Sequence, residues 1–134
     1  MQTLKETHCI FSDQWASVTN MSTKRIWPGV AALHDKIYVA GGKLGENSED
    51  LRSVECYDLD TNNWTEVASM NFARAGYNLL SLRGRLYAMG GDGDDDEDVG
   101  SVEVYDPENN SWTVLQDKIE GINGACTIKK YFVH

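Results

Sequence analysis

Short apolar runs separated by polar turns dominate the chain, and no stretch sustains the roughly 3.6-residue period of an amphipathic helix. Residues 30–33 and 79–82 read as one kind of strand, and residues 36–40 and 85–89 as a second kind that is almost continuously apolar. A strand with that pattern is covered on both faces. Residues 53–57 and 101–105 alternate small or charged positions with Tyr, Val and Cys, and form a third kind. A fourth begins at Trp64 and again at Trp112, and is more polar, as an outer strand should be. His34-Asp35, Arg83-Gly84, the double glycines and the Asn-rich segments 60–63 and 107–110 supply the turns. The pattern is all-β.

The same pattern occurs twice. Shifting the chain by 49 positions places Trp15 on Trp64, Met21 on Met70, Arg25 on Arg74, Tyr38 on Tyr87 and Gly41-Gly42 on Gly90-Gly91. A shift of 48 then places residues 53–58 on 101–106 and Trp64 on Trp112. The one-residue change falls in the loop after the double glycine, where length is least constrained. Four short strands repeating at nearly fifty residues have the length and order of a propeller blade.

Ile37-Tyr-Val-Ala-Gly-Gly42 and Leu86-Tyr-Ala-Met-Gly-Gly91, the Val-Glu-x-Tyr-Asp segments, the tryptophans seven residues after each Tyr, and Met21 and Met70 four residues before Arg25 and Arg74 together resemble the kelch repeat. The resemblance spans about residues 12–130 and is greatest to the C-terminal part of the kelch-like family. It implies a kelch β-propeller fragment: two full four-stranded blades plus single flanking strands from neighbouring blades. The expected organisation is an irregular segment 1–11, an outer strand and loop of a preceding blade over 12–26, blades over 27–68 and 69–118, and a ring-closing strand in 119–134. In the gapless register His8 stands where Tyr57 and Tyr105 stand. Two blades cannot close a ring, so exposed blade faces are expected to be covered by self-assembly or by missing blades.

Composition narrows the function. With 12 basic and 21 acidic residues the net charge is −9, which opposes nucleic acid and anionic membrane surfaces. No apolar run has the length of a membrane span, and the first residues lack the apolar core of a secretory signal, so the expected location is cytoplasmic. Cys9, Cys56 and Cys126 are an odd, dispersed set that fits neither a disulfide framework nor a zinc site. In that compartment the three N-glycosylation triplets, at Asn20, Asn63 and Asn109, read as coincidental.

Candidate chemistry is sparse. The double glycines lack the spacing of a dinucleotide or Walker loop, and read as sites of positive φ or close backbone approach. Asp92, Asp94, Asp96, Asp98 and Glu103 have the offsets of a calcium loop, but Glu97 stands where the sharp turn needs glycine. The acidic loop 92–98 reads first as a solvated segment, then as a patch for a basic partner, with weak calcium binding left open. Arg25 and Arg74 occupy one repeat position and read as architectural, their donors tying off loop carbonyls between blades. The repeated tryptophans read as packing between blades, and Cys56 as a small buried hydrophobe. His8, His34 and His134 are isolated, so no catalytic, metal or cofactor constellation is expected and the chain reads as a non-enzyme.

The resemblance implies a protein–protein interaction module, like the substrate-recognition propeller of cullin-3 ubiquitin ligase adaptors but without their BTB and BACK domains. Its alternatives are a cytoskeletal, actin-associated role, or a truncated product without independent activity. By position in the family, partner contacts fall at Ile26, Lys43, Asp50, Ala75, Asp92 and Asp98. Lys43 and Asp92 replace the aromatic often found after the glycines, and the surface so formed favours a basic or neutral protein partner.

Overall fold

The computed structural model describes residues 8–11, 14–92 and 100–116. These form ten strands: β1 (His8–Phe11), β2 (Gln14–Ser17), β3 (Gly29–Leu33), β4 (Lys36–Ala40), β5 (Val54–Asp58), β6 (Asn63–Val67), β7 (Asn78–Leu82), β8 (Arg85–Met89), β9 (Val102–Asp106) and β10 (Ser111–Gln116). Strands β3 to β6 make one four-stranded antiparallel sheet in sequence order, and β7 to β10 make the second. Each strand predicted for the two blades is found, with ends displaced by about one residue. The ring-closing strand and Asp98 fall outside the described residues.

Turn chemistry sets each sheet's connections. His34 (φ 48°) and Asp35 (φ 58°) are consecutive left-handed residues, and Arg83 (φ 49°) and Gly84 (φ 76°) repeat the arrangement. That backbone matches the twist of the strands it joins, which is why two residues suffice. In the longer turns the Asp58 carboxylate accepts the Asp60 N–H at 2.9 Å, and the Asp106 carboxylate accepts the Glu108 N–H at 2.9 Å. Asn62 (φ 54°) and Asn110 (φ 48°) close these turns, and their side-chain oxygens accept the hydroxyls of Tyr57 and Tyr105 at 2.6 and 2.9 Å.

The core lies between the two blades. Pairing of Tyr38 with Cys56 and of Ala40 with Val54 puts these four side chains on one face of the first blade. They meet Leu86, Ala88, Tyr105 and Trp112 of the second, with Met70 and Tyr77 from the connecting segment filling the space between. Tyr38 and Tyr105 pack with tilted rings, centroids 5.6 Å apart, and Tyr105 continues to Trp112 at 5.2 Å. Burying a side chain such as Leu86, with 0% exposure, contributes about 1.5–3 kcal/mol. A blade is therefore stabilised mainly by its neighbour, and the innermost strands β3 and β7 run beside each other.

β1 and β2 form a separate two-stranded sheet. The flanking strand that the repeat predicts thus acquires a partner. The gapless register is corrected at this point, because Ile10 sits opposite Trp15, as Tyr57 sits opposite Trp64, whereas His8 sits opposite Ser17. Two residues separate β1 from β2, against four between β5 and β6, which displaces the register by two.

Candidate functional site

Each blade has two ends. At one end lie the short turns around His34, Arg83 and Pro107; at the other, the double glycines and the segments that enter the blades meet. The second end contains nearly all the candidate contact residues, and its architecture starts from two buried arginines.

Arg25 and Arg74 are both 0% exposed. Arg25 Nη1 donates to the carbonyls of Gly41 (2.9 Å) and Ser53 (3.0 Å), and Nη2 to the Glu55 carboxylate (3.0 Å). Arg74 repeats the set on Gly90 (3.0 Å), Ser101 (3.1 Å) and Glu103 (2.7 Å). The arginines are architectural as expected, but each ties carbonyls of a single blade to the segment that enters it and not carbonyls between blades. Missed in the sequence were the counter-ions, although a Glu at the same position of both third strands was a visible signal. Burial opposes ionisation of Glu55, but hydrogen bonds from Ser22 and the Arg25 guanidinium outweigh it and hold the carboxyl below its ordinary range. Burial also pulls the Arg74 guanidinium down, against the opposing charge of Glu103. Glu103 is corrected as a calcium ligand, since its oxygens accept from Arg74 and from the Asn71 and Phe72 backbone inside the protein.

The glycines let backbones touch. Gly42 has φ 87°, and a Cβ there would lie 2.5 Å from the Ile26 carbonyl. At Gly91, with φ 97°, a Cβ would lie 2.7 Å from that of Tyr77 and 2.8 Å from the Ala75 carbonyl. Only glycine fits such positions. This close approach lets the segment after each arginine bridge the loop after each double glycine: Ile26 pairs with Lys43, Lys43 with Asp50, and Ala75 with Asp92.

Five of the six candidate contact residues are thus held at one end by backbone bridges. Their side chains differ. Ile26 is 3% exposed and Ala75 0%, so both face inward and serve as supports. Lys43 Nζ pairs with the buried Asp50 carboxylate at 3.3 Å, which offsets its charge. Asp92 is exposed. Two exposed residues that position in the repeat did not select stand beside these bridges: Trp27 at 49% and Leu44 at 53%. Glu46 and Glu49 are exposed in the same loop as Leu44, so this end is apolar in patches and acidic around them.

The opposite end contains an open cleft of about 550 Å³ between the blades, lined by His34, Arg83, Arg85, Asp106 and Glu108 among others. Arg85 reaches Asp106 at 3.5 Å. The sequence had left His34 isolated; only the docking of the blades brings it beside these charges. Among the described residues no group of three or more His, Cys, Asp or Glu side chains could hold a metal ion, and no helix is long and apolar enough to cross a membrane.

A kelch motif family model matches residues 28–71 and 73–118, which contain the two blades. The chain belongs to the kelch-repeat family. Among similar proteins, human Kelch-like protein 28 is 35% identical over 87 residues, covering 60% of this chain and 15% of that protein. Kelch-like protein 26 of Danio rerio is 33% identical, covering 64% of the kelch chain and 14% of the relative. The Influenza virus NS1A-binding protein homolog of Xenopus laevis is 46% identical over 63 residues, 47% of this chain and 10% of the relative. The kelch chain therefore spans only a small part of the length of these relatives. The solved structure of YjhT superposes with a TM-score of 0.70 at 18% identity over 82% of this chain and 44% of that one, which shows the shared propeller fold.

Proposed function

We propose that the chain contributes two blades to a protein-binding kelch propeller, and that the partner is held at the end carrying Trp27, Leu44 and Asp92. The observation that carries this reading is the set of backbone bridges joining Ile26, Lys43 and Asp50, and Ala75 and Asp92. These bridges hold recognition loops rigid while leaving Trp27, Leu44 and the carboxylates of Glu46, Glu49 and Asp92 exposed. Rigid exposed apolar residues ringed by charge are the usual composition of a binding surface. With a net charge of −9, the favoured partner is basic or neutral.

In this reading the chain acts by binding and not by turnover. Joined to BTB and BACK domains in a larger assembly, it would select substrates for a cullin-3 ligase in the cytoplasm. Asp98, selected by its position in the family, is a further candidate contact outside the described residues. Exposed Val30 (49%) and Leu115 (57%) lie on blade strands and would be covered by further blades or a second copy.

The test compares partner capture by wild type with Leu44→Glu and Asp92→Lys at one end and Arg83→Glu at the other. Loss of the captured set with the first two and retention with the third supports the reading. The reverse pattern would place the interface at the cleft end and overturn it. Circular dichroism melts confirm that each variant remains folded.

A further inference from the structure

The two repeats differ most sharply one position after the bridge residue. In the second repeat that position is Gly76, with φ 60°; in the first it is Trp27, with φ 52°. A left-handed backbone costs glycine nothing, and a bulky aromatic adopts it only under constraint. The other described non-glycine residues with positive φ, His34, Asp35, Asn62, Arg83 and Asn110, all lie in hairpin turns, where that geometry is required. Trp27 is followed by Pro28, which further restricts the residue before it. For all that constraint the indole gains little burial, since the residue is 49% exposed.

The two positions are also neighbours in space. The Trp27 carbonyl accepts the Gly76 N–H at 3.0 Å, and an Asp92 carboxylate oxygen lies 3.9 Å from where a Cβ on Gly76 would stand. The backbone of an exposed tryptophan and an exposed carboxylate therefore flank one glycine at the junction of the blades. A ring quadrupole and an anion carried on adjoining backbone attract the same ligand chemistry, a cation with an apolar stem. Exposed Glu46 and Glu49, and the net charge of −9, bias the wider surface the same way.

Resting on the interaction face proposed above, we infer that Trp27 and Asp92 form a subsite for a cationic side chain, an arginine above all, of a basic peptide segment in the partner. Strain at Trp27 is retained because glycine, although conformationally better suited, would remove the ring that the cation contacts.

The experiment titrates the full chain, labelled with ¹⁵N, with an acetylated and amidated Gly-Arg-Gly-Arg-Gly peptide and follows the tryptophan indole N–H resonances. The Trp27 signal is assigned by its loss in Trp27→Gly. The expected result is a saturable shift of that signal which the glutamate analogue of the peptide does not produce. Trp27→Gly and Asp92→Asn should each raise the dissociation constant at least threefold, while Trp27→Gly melts at or above the wild-type midpoint. No shift, an equal shift with the glutamate peptide, or unchanged affinity in either variant overturns the subsite. So does a clearly lowered melting point in Trp27→Gly, which would make the indole a structural element. If Leu44→Glu abolishes partner capture and Trp27→Gly does not, the interaction face stands and the arginine subsite falls.

Discussion

In the first blade Ser22 donates its N–H and hydroxyl to Glu55, which holds Arg25; in the second the Asn71 and Phe72 N–H groups take that place on Glu103, which holds Arg74. Trp64 donates to the Thr19 carbonyl at 2.7 Å, and Trp112 to that of Ala68 at 2.9 Å. Beyond this shared frame the blades diverge. Pro28 stands where Tyr77 fills the space above Gly29 and Gly41 and donates to the Ala40 carbonyl at 2.7 Å. Trp27 stands where the second blade has Gly76, and the Lys43–Asp50 pair belongs to the first blade's loop. The difference separates two kinds of constraint. Buried polar groups must be satisfied in every repeat, so the staple is copied. Exposed loop ends carry no such requirement, so they are free to specialise in recognition.

The largest expected effect tests the copied part. Arg74→Ala leaves Glu103 charged and buried and the Gly90 and Ser101 carbonyls unpaired, and should cost about 3–5 kcal/mol in denaturant melts. A loss below about 1 kcal/mol would remove the staple from the frame. Gly91→Ala comes next, at about 2–3 kcal/mol, because φ 97° and a contact of 2.7 Å leave no room for a methyl group.

Acid sharpens the comparison through Glu55. Its folded pKa lies below the ordinary 4.5, so the stabilisation is complete above that pH and is lost as pH falls towards the folded value. Wild type should therefore lose stability below pH 4.5 more steeply than Glu55→Gln, as read from melts across that range. Parallel curves would mean that the pair does not titrate with unfolding.

Trp112→Phe keeps most of the packing but removes the hydrogen bond to Ala68, a change of about 1 kcal/mol in the same melts. At the small end, Trp27→Gly should leave stability unchanged or raise it by up to about 0.5 kcal/mol, because relief at φ 52° offsets the added freedom of glycine in the unfolded chain. That near-zero effect, beside the large one at Arg74, is the quantitative form of the distinction between frame and loop.

Much of the frame was legible because it repeats. Arg25 and Arg74, the double glycines and the tryptophans recur in one register, and each does in the structure what recurrence at a buried junction requires. The candidate site was half legible. Position in the repeat located loops that the structure bridges at one end, but it could not distinguish Ile26 and Ala75, which point inward, from Trp27 and Leu44, which point out. Neither local propensity nor charge encodes that choice; it depends on which side of a two-residue backbone bridge meets the neighbouring blade.

Strand order, turn type and the repeat period were written in the sequence itself, because side-chain alternation and left-handed turn residues act over a few neighbours. Tertiary structure alone decided which groups would meet across the junction. Tyr38 reaches Tyr105, His34 joins Arg83 and Arg85, and Trp27 comes within a hydrogen bond of Gly76 only because the second blade docks against the first. Contacts between residues forty or more positions apart depend on that docking and on the hydrophobic surface it removes from water.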